Sequence, residues 1–600
     1  RASAYGIHPA LLDSALQTRL PDDVSEAEIP FSFSGAFLYR SGASQLRISL
    51  HESEGATSLV ALDADGEPAL VIEAVRRRAI DPAALEAAAA AKGPDSLFEL
   101  DWTEIASPAI EAEEIPSQVV LLPASGLVPE EGEDLATRVQ TATECALERL
   151  QQWIDSEEHA DSKLVLLTEH ALATAEGESP DLAQAALVGL LRSARSEHPG
   201  RFGLIDVDGA ESSLASLPAA LQSDEPELCL REGVLLAPRL ARAQADPHHE
   251  APALDPEGTV LITGGTGGLG ALVARHLVAE HGARHLLLIS RSGPEAEGAA
   301  ELKAGLEELG AEVAIAACDV ADEAQLAAAV EAIPAAHLLT AVFHAERLVD
   351  DGVISSLDPE RLRAVMAPKV DGAINLHRLT EDAELAEFVC FSSVSATIGS
   401  PGQGNYTAAN SFLDALAFHR RAQGLPATTI AFGAWEGAPS TEGEMSRYDR
   451  QRFARAGMVP VSDEEGLALF NAARALGRPL PLPARLDMAT LRGQAGAGAL
   501  PPILSSLVQV SRRRAAGAKG QLLERLKEVP ESEWDGIVLG MVREHVAAVL
   551  GFESGDAVDP QLPFKDLGFD SLGAVELRNR LAEVAGLKLP ATLIFDHPTP

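Results

Sequence analysis

The stretch "TVLITGGTGGLGALVARHL", Thr259–Leu277, decides how the centre of the chain is read. An apolar run, Val260-Leu261-Ile262, meets a glycine-rich turn and then a helical pattern. Strand, glycine turn and helix in that order make a phosphate cradle. The glycines let the backbone approach a pyrophosphate, and the helix N-terminus favours its charge. Thr263, Gly264, Gly265, Thr266, Gly267, Gly268, Leu269 and Gly270 are therefore expected to hold a dinucleotide. Roughly 20 residues on, a ribose-reading carboxylate would mark an NAD site. The next strand, "HLLLISRSG", delivers Arg291 and Ser292 instead. A guanidinium suits a 2′-phosphate, so NADPH is expected rather than NADH. Asp319, with Val320 beside it in "ACDVAD", is placed to meet the adenine edge.

Outward from this loop the chain reads as several domains. From Leu97 to about Ala245, strand-like runs ("QVVLLPA", "KLVLLTE", "RFGLIDVDG") alternate with helical patterns such as "LAQAALVGLLRSARSE". This predicts a second α/β unit. It has no glycine-rich loop, so no nucleotide is expected there. The first 80 residues or so read as strands around a turn at Asp63-Ala64-Asp65-Gly66, followed by an Ala-rich joint, Asp81 to Asp95. After the central unit, "RGQAGAGALPP" reads as a loose joint. "SRRRAAGAKG", Ser511 to Gly520, reads as an exposed basic linker or a solvated turn. The expected division is 1–90, 95–245, 255–495, a linker at 496–530, and a helical region at 531–600.

Composition bounds the function. The chain has 600 residues, too many for one core. With 46% hydrophobic and 23% charged residues it is globular. A net charge of -43 opposes nucleic acid and anionic membrane surfaces and favours solubility. Four scattered cysteines, Cys145, Cys229, Cys318 and Cys390, fit a reducing cytoplasm and suggest neither disulfides nor a metal site. No apolar run approaches the ~18 residues of a membrane span. The start, "RASAYGIHPALLD", has no signal-peptide pattern and no methionine, so the chain is read as a fragment.

Tyr406 and Asn410, in "QGNYTAANSFL", share one face of a helix expected from Tyr406 to Arg421. Ser393, thirteen residues earlier, ends a strand. A short-chain reductase usually has lysine where Asn410 stands. Between the cofactor loop and this helix only Lys303 and Lys369 occur. Lys303 is expected on a charged surface helix, whereas Lys369 lies in "VMAPKVDGAINLHRL". "TGGTGGLG", "PKVDGAINLH", "FSSVSATIGSPGQGNYTAANSFLDAL" and "AFGAWEG" together resemble the ketoreductase domain of a modular type I polyketide synthase. In that family lysine and asparagine exchange places, and Lys369, Ser393, Tyr406 and Asn410 match all four positions. The resemblance implies that NADPH delivers hydride to a β-keto carbon while Tyr406 donates a proton. Ser393 would bond the oxygen, Lys369 would lower the tyrosine pKa, and Asn410 would hold Lys369 or a water. One departure stands out: in "VFHAERLVDDG", Arg347 replaces a usual glycine near the nicotinamide ribose.

The flanking pieces carry the same resemblance. "GFDSLGAVELRNRL" resembles an acyl carrier protein, which implies 4′-phosphopantetheine on Ser571 and a phosphopantetheinyl transferase as partner. "YGIHPALLDSALQ" resembles the second half of a dehydratase, with Asp13 matching its catalytic acid and the partner histidine in an absent first half. Leu97–Ala245 resembles the subdomain that braces a ketoreductase. The implied fold class is multidomain: an N-terminal hot-dog fragment (α+β), a pair of α/β Rossmann-like reductase subdomains, structural and catalytic, and a four-helix carrier bundle. The short joint Gln244 to Gly258 leaves no room for an inserted enoylreductase. Ketosynthase, acyltransferase and the rest of the dehydratase are implied partners, in a homodimeric parent. The alternative is a silent reductase fold that only tethers the carrier. Val349-Asp350-Asp351 resembles the B-type Leu-Asp-Asp motif, with Ile398 in place of the A-type tryptophan and Ala408 in place of a proline tied to epimerisation. Both sets of residues are expected to line the groove, implying a D-hydroxyl product without epimerisation.

Overall fold

The computed structural model describes residues 28–79, 95–436 and 453–600, apart from short gaps, the longest at 108–115, 245–250 and 509–521. Asp13, the Ala-rich joint and the basic linker lie outside the described residues. The chain divides into two units, Arg1–Lys92 and Gly93–Pro600.

The first unit holds an antiparallel sheet of four strands, Glu28–Leu38, Pro68–Ala79, Ala56–Leu62 and Arg47–Ser53 in spatial order. The expected turn is there. Asp63 N–H donates to the Glu67 carbonyl at 2.9 Å, and the Asp63 carboxylate accepts from the Asp65 and Glu67 N–H groups. Gly66 takes φ +84°, which an L side chain resists. Thr57, Leu59 and Ala61 are buried while Ser58, Val60 and Leu62 are more open, the period of two that one covered face demands.

In the second unit two α/β layers lie side by side. The six-stranded sheet is wholly parallel, in the order Glu312–Ala317, His285–Ser290, Thr259–Thr263, Leu339–His344, Glu387–Ser393, Thr428–Phe432. Numbered by sequence this is 3-2-1-4-5-6, the doubly wound order whose ligand crevice opens between strands 1 and 4. All five residues of Thr259–Thr263 are buried, as expected for a strand covered on both faces. The second sheet has seven strands, with a parallel run Val119–Pro123, Lys163–Glu169, Phe202–Val207 and Glu227–Arg231. Antiparallel strands Val234–Arg242, Leu97–Glu104 and Leu482–Pro483 complete it.

That last strand comes from beyond the catalytic sheet, so the two halves interlock. The "loose joint" is a correction. Met488–Ala497 is helical, Pro502–Leu507 is a 3-10 turn, and Leu491, Ala495, Ile503 and Leu504 are buried with Leu240, Met458 and Leu482. Its glycine and alanine content masked apolar residues spaced to cover the sheet's edge. The expected linker at 496–530 therefore begins as packed structure.

The tyrosine helix, Gly404–Ala422, packs on the bracing helix, Leu182–Glu197, of the structural half. Gly189 allows this approach, since a Cβ there would stand 2.2 Å from the Thr407 carbonyl oxygen. Ser193 Oγ bonds the Ser400 carbonyl and Thr407 Oγ1, each at 2.8 Å. Arg192, buried and paired with Glu227, reaches the Ala396 carbonyl at 2.8 Å. The carrier region contributes helices Trp534–Leu550, Ser571–Ala585 and Leu593–Asp596, three among the described residues where four were expected. Their core is Val546, Val549, Phe564, Leu577 and Leu581. Among the described residues no helix is long and apolar enough to cross a membrane.

Candidate active site

The glycine turn sits at the C-terminal end of the first central strand. Gly264 takes φ +63°, and a Cβ there would press on the Ala345 carbonyl at 2.9 Å. A Cβ at Gly270 would come within 2.2 Å of the Gly264 carbonyl, so only glycine lets the helix start this close. The helix Gly268–His281 has no side chain capping its N-terminus, and Gly267 and Gly268 are exposed. Free N–H groups on an open surface fit a pyrophosphate. Arg291 and Ser292 are exposed just past the strand His285–Ser290, and Thr266 Oγ1 donates to Ser290 Oγ at 2.7 Å. Asp319 is exposed but its carboxylate already accepts from the Ala321 N–H at 3.0 Å; Val320 is buried.

Lys369 lies on the helix Pro359–Leu379 and is 2% exposed. Its Nζ donates to the Phe391 carbonyl at 2.8 Å and stands 5.6 Å from the centre of the Tyr406 ring. Phe391 belongs to the strand that ends in Ser393, so one ammonium joins that strand to the phenol. Burial lowers the Lys369 pKa. Burial by itself would raise the Tyr406 pKa, but the Lys369 and Arg347 cations outweigh it and hold the phenol below its ordinary value. Asn410 Nδ2 donates to the Tyr406 carbonyl at 2.9 Å, while its buried Oδ1 has no protein partner. An orphaned buried acceptor asks for a donor from water or ligand. Ser393 Oγ accepts from the Ser395 N–H at 3.2 Å and the Ser395 hydroxyl at 2.9 Å. Lys303 is on the surface helix Ala299–Glu308, as expected, with its ammonium on the Val313 carbonyl at 2.6 Å.

Several residues of this site carried no sequence signal. His344 Nε2 donates to the Lys369 carbonyl at 3.2 Å, so its Nδ1 accepts from Thr263 Oγ1 at 2.7 Å. Burial pushes this imidazole down to about 3 and keeps it neutral. Glu346, next to the noted Arg347, turns its carboxyl to the Gly264 N–H. Burial raises the Glu346 pKa, and Arg291 and Lys369 pull it down. The Arg347 guanidinium reaches the Tyr406 phenol rather than leaving only its backbone in the crevice. Two neighbouring side chains thus enter the cofactor crevice.

In the groove wall, Asp350 is held bidentately by Arg361 at 2.8 and 2.6 Å, and the Asp351 carboxylate accepts from Gln403 Nε2 at 3.1 Å. Val349 and Ile398 are half-buried. Ala408 departs from the expectation: it is fully buried in the core shared with the bracing helix and does not line the groove. The helix rotation that aims Tyr406 at the cleft turns Ala408 inward. Ser571 begins its helix, as expected. At the opposite ends of the strands, Glu257, His285 and His337 bring possible ligand atoms within 4.8 Å of one another. The two imidazoles stack with centroids 3.5 Å apart, and His337 Nδ1 already bonds the Glu257 carbonyl.

Comparison with known proteins agrees region by region. Residues 258–437 match the family described as KR domain, and 541–600 match the phosphopantetheine attachment site. Residues 60–240 match the Rossmann fold domain of the polyketide synthase extender module SpnB. Residues 1–87 match the polyketide synthase dehydratase N-terminal domain, a description that names the other half of the dehydratase from the one the motifs resemble. The spectinabilin polyketide synthase system protein NorA' of Streptomyces orinoci is 44% identical over the whole of this chain and 19% of its own length. Mycoketide-CoA synthase of Mycobacterium tuberculosis is 49% identical over 57% of this chain and 8% of its own. The chain thus spans only a minor part of such relatives. Among solved structures, an A1-type ketoreductase matches with TM-score 0.60 and 31% identity, over 69% of this chain and 97% of that one. The PlmKR1 ketoreductase of phoslactomycin biosynthesis, from Streptomyces sp. HK803, matches with TM-score 0.59 and 30% identity, over 69% and 99%. The chain belongs to the modular type I polyketide synthases, and its centre is their ketoreductase domain, an oxidoreductase of the short-chain dehydrogenase type, followed by a phosphopantetheine carrier.

Proposed function

We propose that Tyr406 gives its phenolic proton to the β-keto oxygen of a thioester carried on Ser571, leaving a β-hydroxyacyl chain. NADPH, when bound, supplies the hydride to the β-carbon. Thr263–Gly270, Arg291, Ser292, Asp319 and Val320 would hold it, with Arg291 on the 2′-phosphate. The Ser393 hydroxyl donates to the developing alkoxide, Lys369 keeps the phenol acidic, and the free Asn410 Oδ1 holds a water or Lys369. The observation that carries this reading is the buried Lys369 ammonium joining the Phe391 carbonyl to the Tyr406 ring. Tyr406→Phe removes only the proton donor. We expect reduction of a small cyclic ketone to fall at least 100-fold, with far-UV circular dichroism and NADPH binding retained. Near-parental turnover would remove Tyr406 from the mechanism.

A second reading, a silent fold that tethers the carrier, is favoured by Glu346 and Arg347 in the cofactor crevice. The same ketone assay on the parent chain separates the two. Chiral chromatography of a reduced diketide reads the stereochemistry. We expect the D-hydroxyl of a B-type enzyme, without epimerisation. Val349-Asp350-Asp351 and Ile398 support this.

Around the ketoreductase we propose the pieces 1–90, 95–245, 255–495 and 531–600. The first piece is the C-terminal part of a dehydratase with Asp13 as its acid, on the strength of "HPALLDSALQ". The parent would be a cytoplasmic homodimer with ketosynthase and acyltransferase, and a phosphopantetheinyl transferase would modify Ser571.

A further inference from the structure

Among the described residues, the carrier meets the structural half of the reductase through polar contacts of one helix turn. Arg578 and Asn579 lie on the carrier helix Ser571–Ala585. Arg578 Nη2 donates to the Glu197 carbonyl at 2.6 Å and Asn579 Nδ2 to the same oxygen at 3.0 Å. Arg578 Nη1 lies 3.5 Å from His198 Nδ1, and the arginine is only 6% exposed. Glu197 is the last residue of the bracing helix. Its carbonyl is among the four left without a helical partner, at the negative end of the helix dipole, where a guanidinium is favoured. Arg578 follows Ser571, the first residue of this helix, by seven residues, two helical turns.

The other end of Glu197 points at the reductase groove. Its buried carboxylate accepts from the Ile354 N–H at 2.8 Å and the Gly402 N–H at 2.9 Å. Ile354 follows Val349-Asp350-Asp351, and Gly402 precedes Gln403, which bonds Asp351. The Gly352 N–H donates to the Gly402 carbonyl at 2.7 Å, and Asn405 Nδ2 to the Asp350 carbonyl at 2.9 Å. Glu197 therefore pins both strips of the groove wall from behind. Burial raises its pKa to about 7, while these two N–H groups and Arg578 favour the ionised form.

We propose that the Glu197–His198 end of the bracing helix is the seat of the carrier helix during ketoreduction, and that Glu197 ties that seat to the groove wall. Glu197 is a positioning residue, since its carboxylate touches backbone and not substrate. The inference rests on the ketoreductase reading for its kinetic consequence but not for the contact. The test uses the full chain, with Ser571 loaded with a β-ketoacyl-phosphopantetheine, and compares the parent with Arg578→Ala/Asn579→Ala. Loading at the parental rate shows that the carrier is folded. Single-turnover NADPH oxidation of the loaded chain should slow about 10-fold in the variant, because a charge-assisted bond and a neutral one are lost. A free cyclic ketone should react at the parental rate. Hydrogen exchange of residues 193–203 should quicken in the variant, a readout that holds whether or not the reductase is active. Parental exchange together with parental single-turnover rates would overturn the seat; so would equal slowing of the free ketone, which would make the two residues supports of the reductase fold. Glu197→Gln leaves one good acceptor for two N–H donors. It should slow both substrates and blur the stereochemistry of the hydroxyl, and unchanged stereochemistry would remove its link to the groove.

Discussion

The helix after the glycine turn of the catalytic half begins differently from the two long helices of the structural half. In the structural half, helices Leu135–Asp155 and Leu182–Glu197 start under the carboxylates of Asp134 and Asp181. Asp181 accepts from the Ala183 and Gln184 N–H groups at 2.9 and 3.0 Å. In the catalytic half the helix after the glycine turn starts at Gly267 with no side-chain cap. A carboxylate cap satisfies the orphan donors and places negative charge where a phosphate would sit. The parallel α/β architecture can brace or bind according to who satisfies a few N–H groups. Carboxylates close the long helices of the structural half, and Asp322 and Asp358 do the same for two helices of the catalytic half, while the start after the glycine turn is left open beside the crevice.

That contrast can be broken at Gly267. Its backbone is extended, φ −85° and ψ 169°, and a Cβ there meets nothing nearer than the Gly264 carbonyl at 3.4 Å. Gly267→Asp should fit, cap the helix, and weaken NADPH by well over 10-fold through like-charge repulsion, read by fluorescence titration. Unaltered affinity would mean that this helix start does not receive the pyrophosphate. The choice of cofactor sharpens the same contrast at the next strand. Arg291→Ala should weaken NADPH by roughly 10- to 150-fold relative to NADH, the worth of one charge-assisted contact of ~1.5–3 kcal/mol. Equal losses for both would detach Arg291 from the 2′-phosphate.

The proposed proton donor, Tyr406, gives a pH test. Reduction needs the phenol protonated, so the rate is full below its folded pKa and falls as pH rises through it. Arg347 helps to hold that pKa below the ordinary value of 10.0. Arg347→Gly should therefore move the alkaline fall of free-ketone reduction to higher pH. It also opens the crevice, so NADPH affinity should rise several-fold, the gain expected when an intruding side chain no longer has to be displaced. An unmoved profile would mean that Arg347 leaves the phenol once cofactor binds. The smallest effect is expected in the brace. Asp181→Ala should cost about 1 kcal/mol of stability in chemical denaturation and leave NADPH binding unchanged, because it removes only a cap.

Much of the site was legible before any fold was known. The glycine turn, the shared face of Tyr406 and Asn410, and the strand ending in Ser393 are local patterns, set by helical and strand periods. Lys369 was narrowed down by elimination against Lys303, and its role came only through family resemblance, since nothing in its own helix singles it out. Glu346 was missed although it sits beside Arg347, because a carboxylate after a strand has no periodic signature. The packed edge at 482–508 was misread for a related cause: a Gly/Ala-rich composition conceals apolar residues whose partners are Phe98 and Leu240, hundreds of positions earlier.

The sequence alone pointed to the α/β halves and the glycine-rich turn, because each depends on residues within a few turns of one another, while Ser571 was singled out by the resemblance of its surroundings to a carrier. Only the tertiary structure decided that Lys369 reaches Tyr406, that the Arg347 guanidinium meets the phenol, that Ala408 faces the core, and that Glu197 touches both groove wall and carrier. Those facts depend on contacts across long separations and on the rotation of packed helices. Packing sets them, as with Gly189 against Thr407, and the local period of either helix leaves them open.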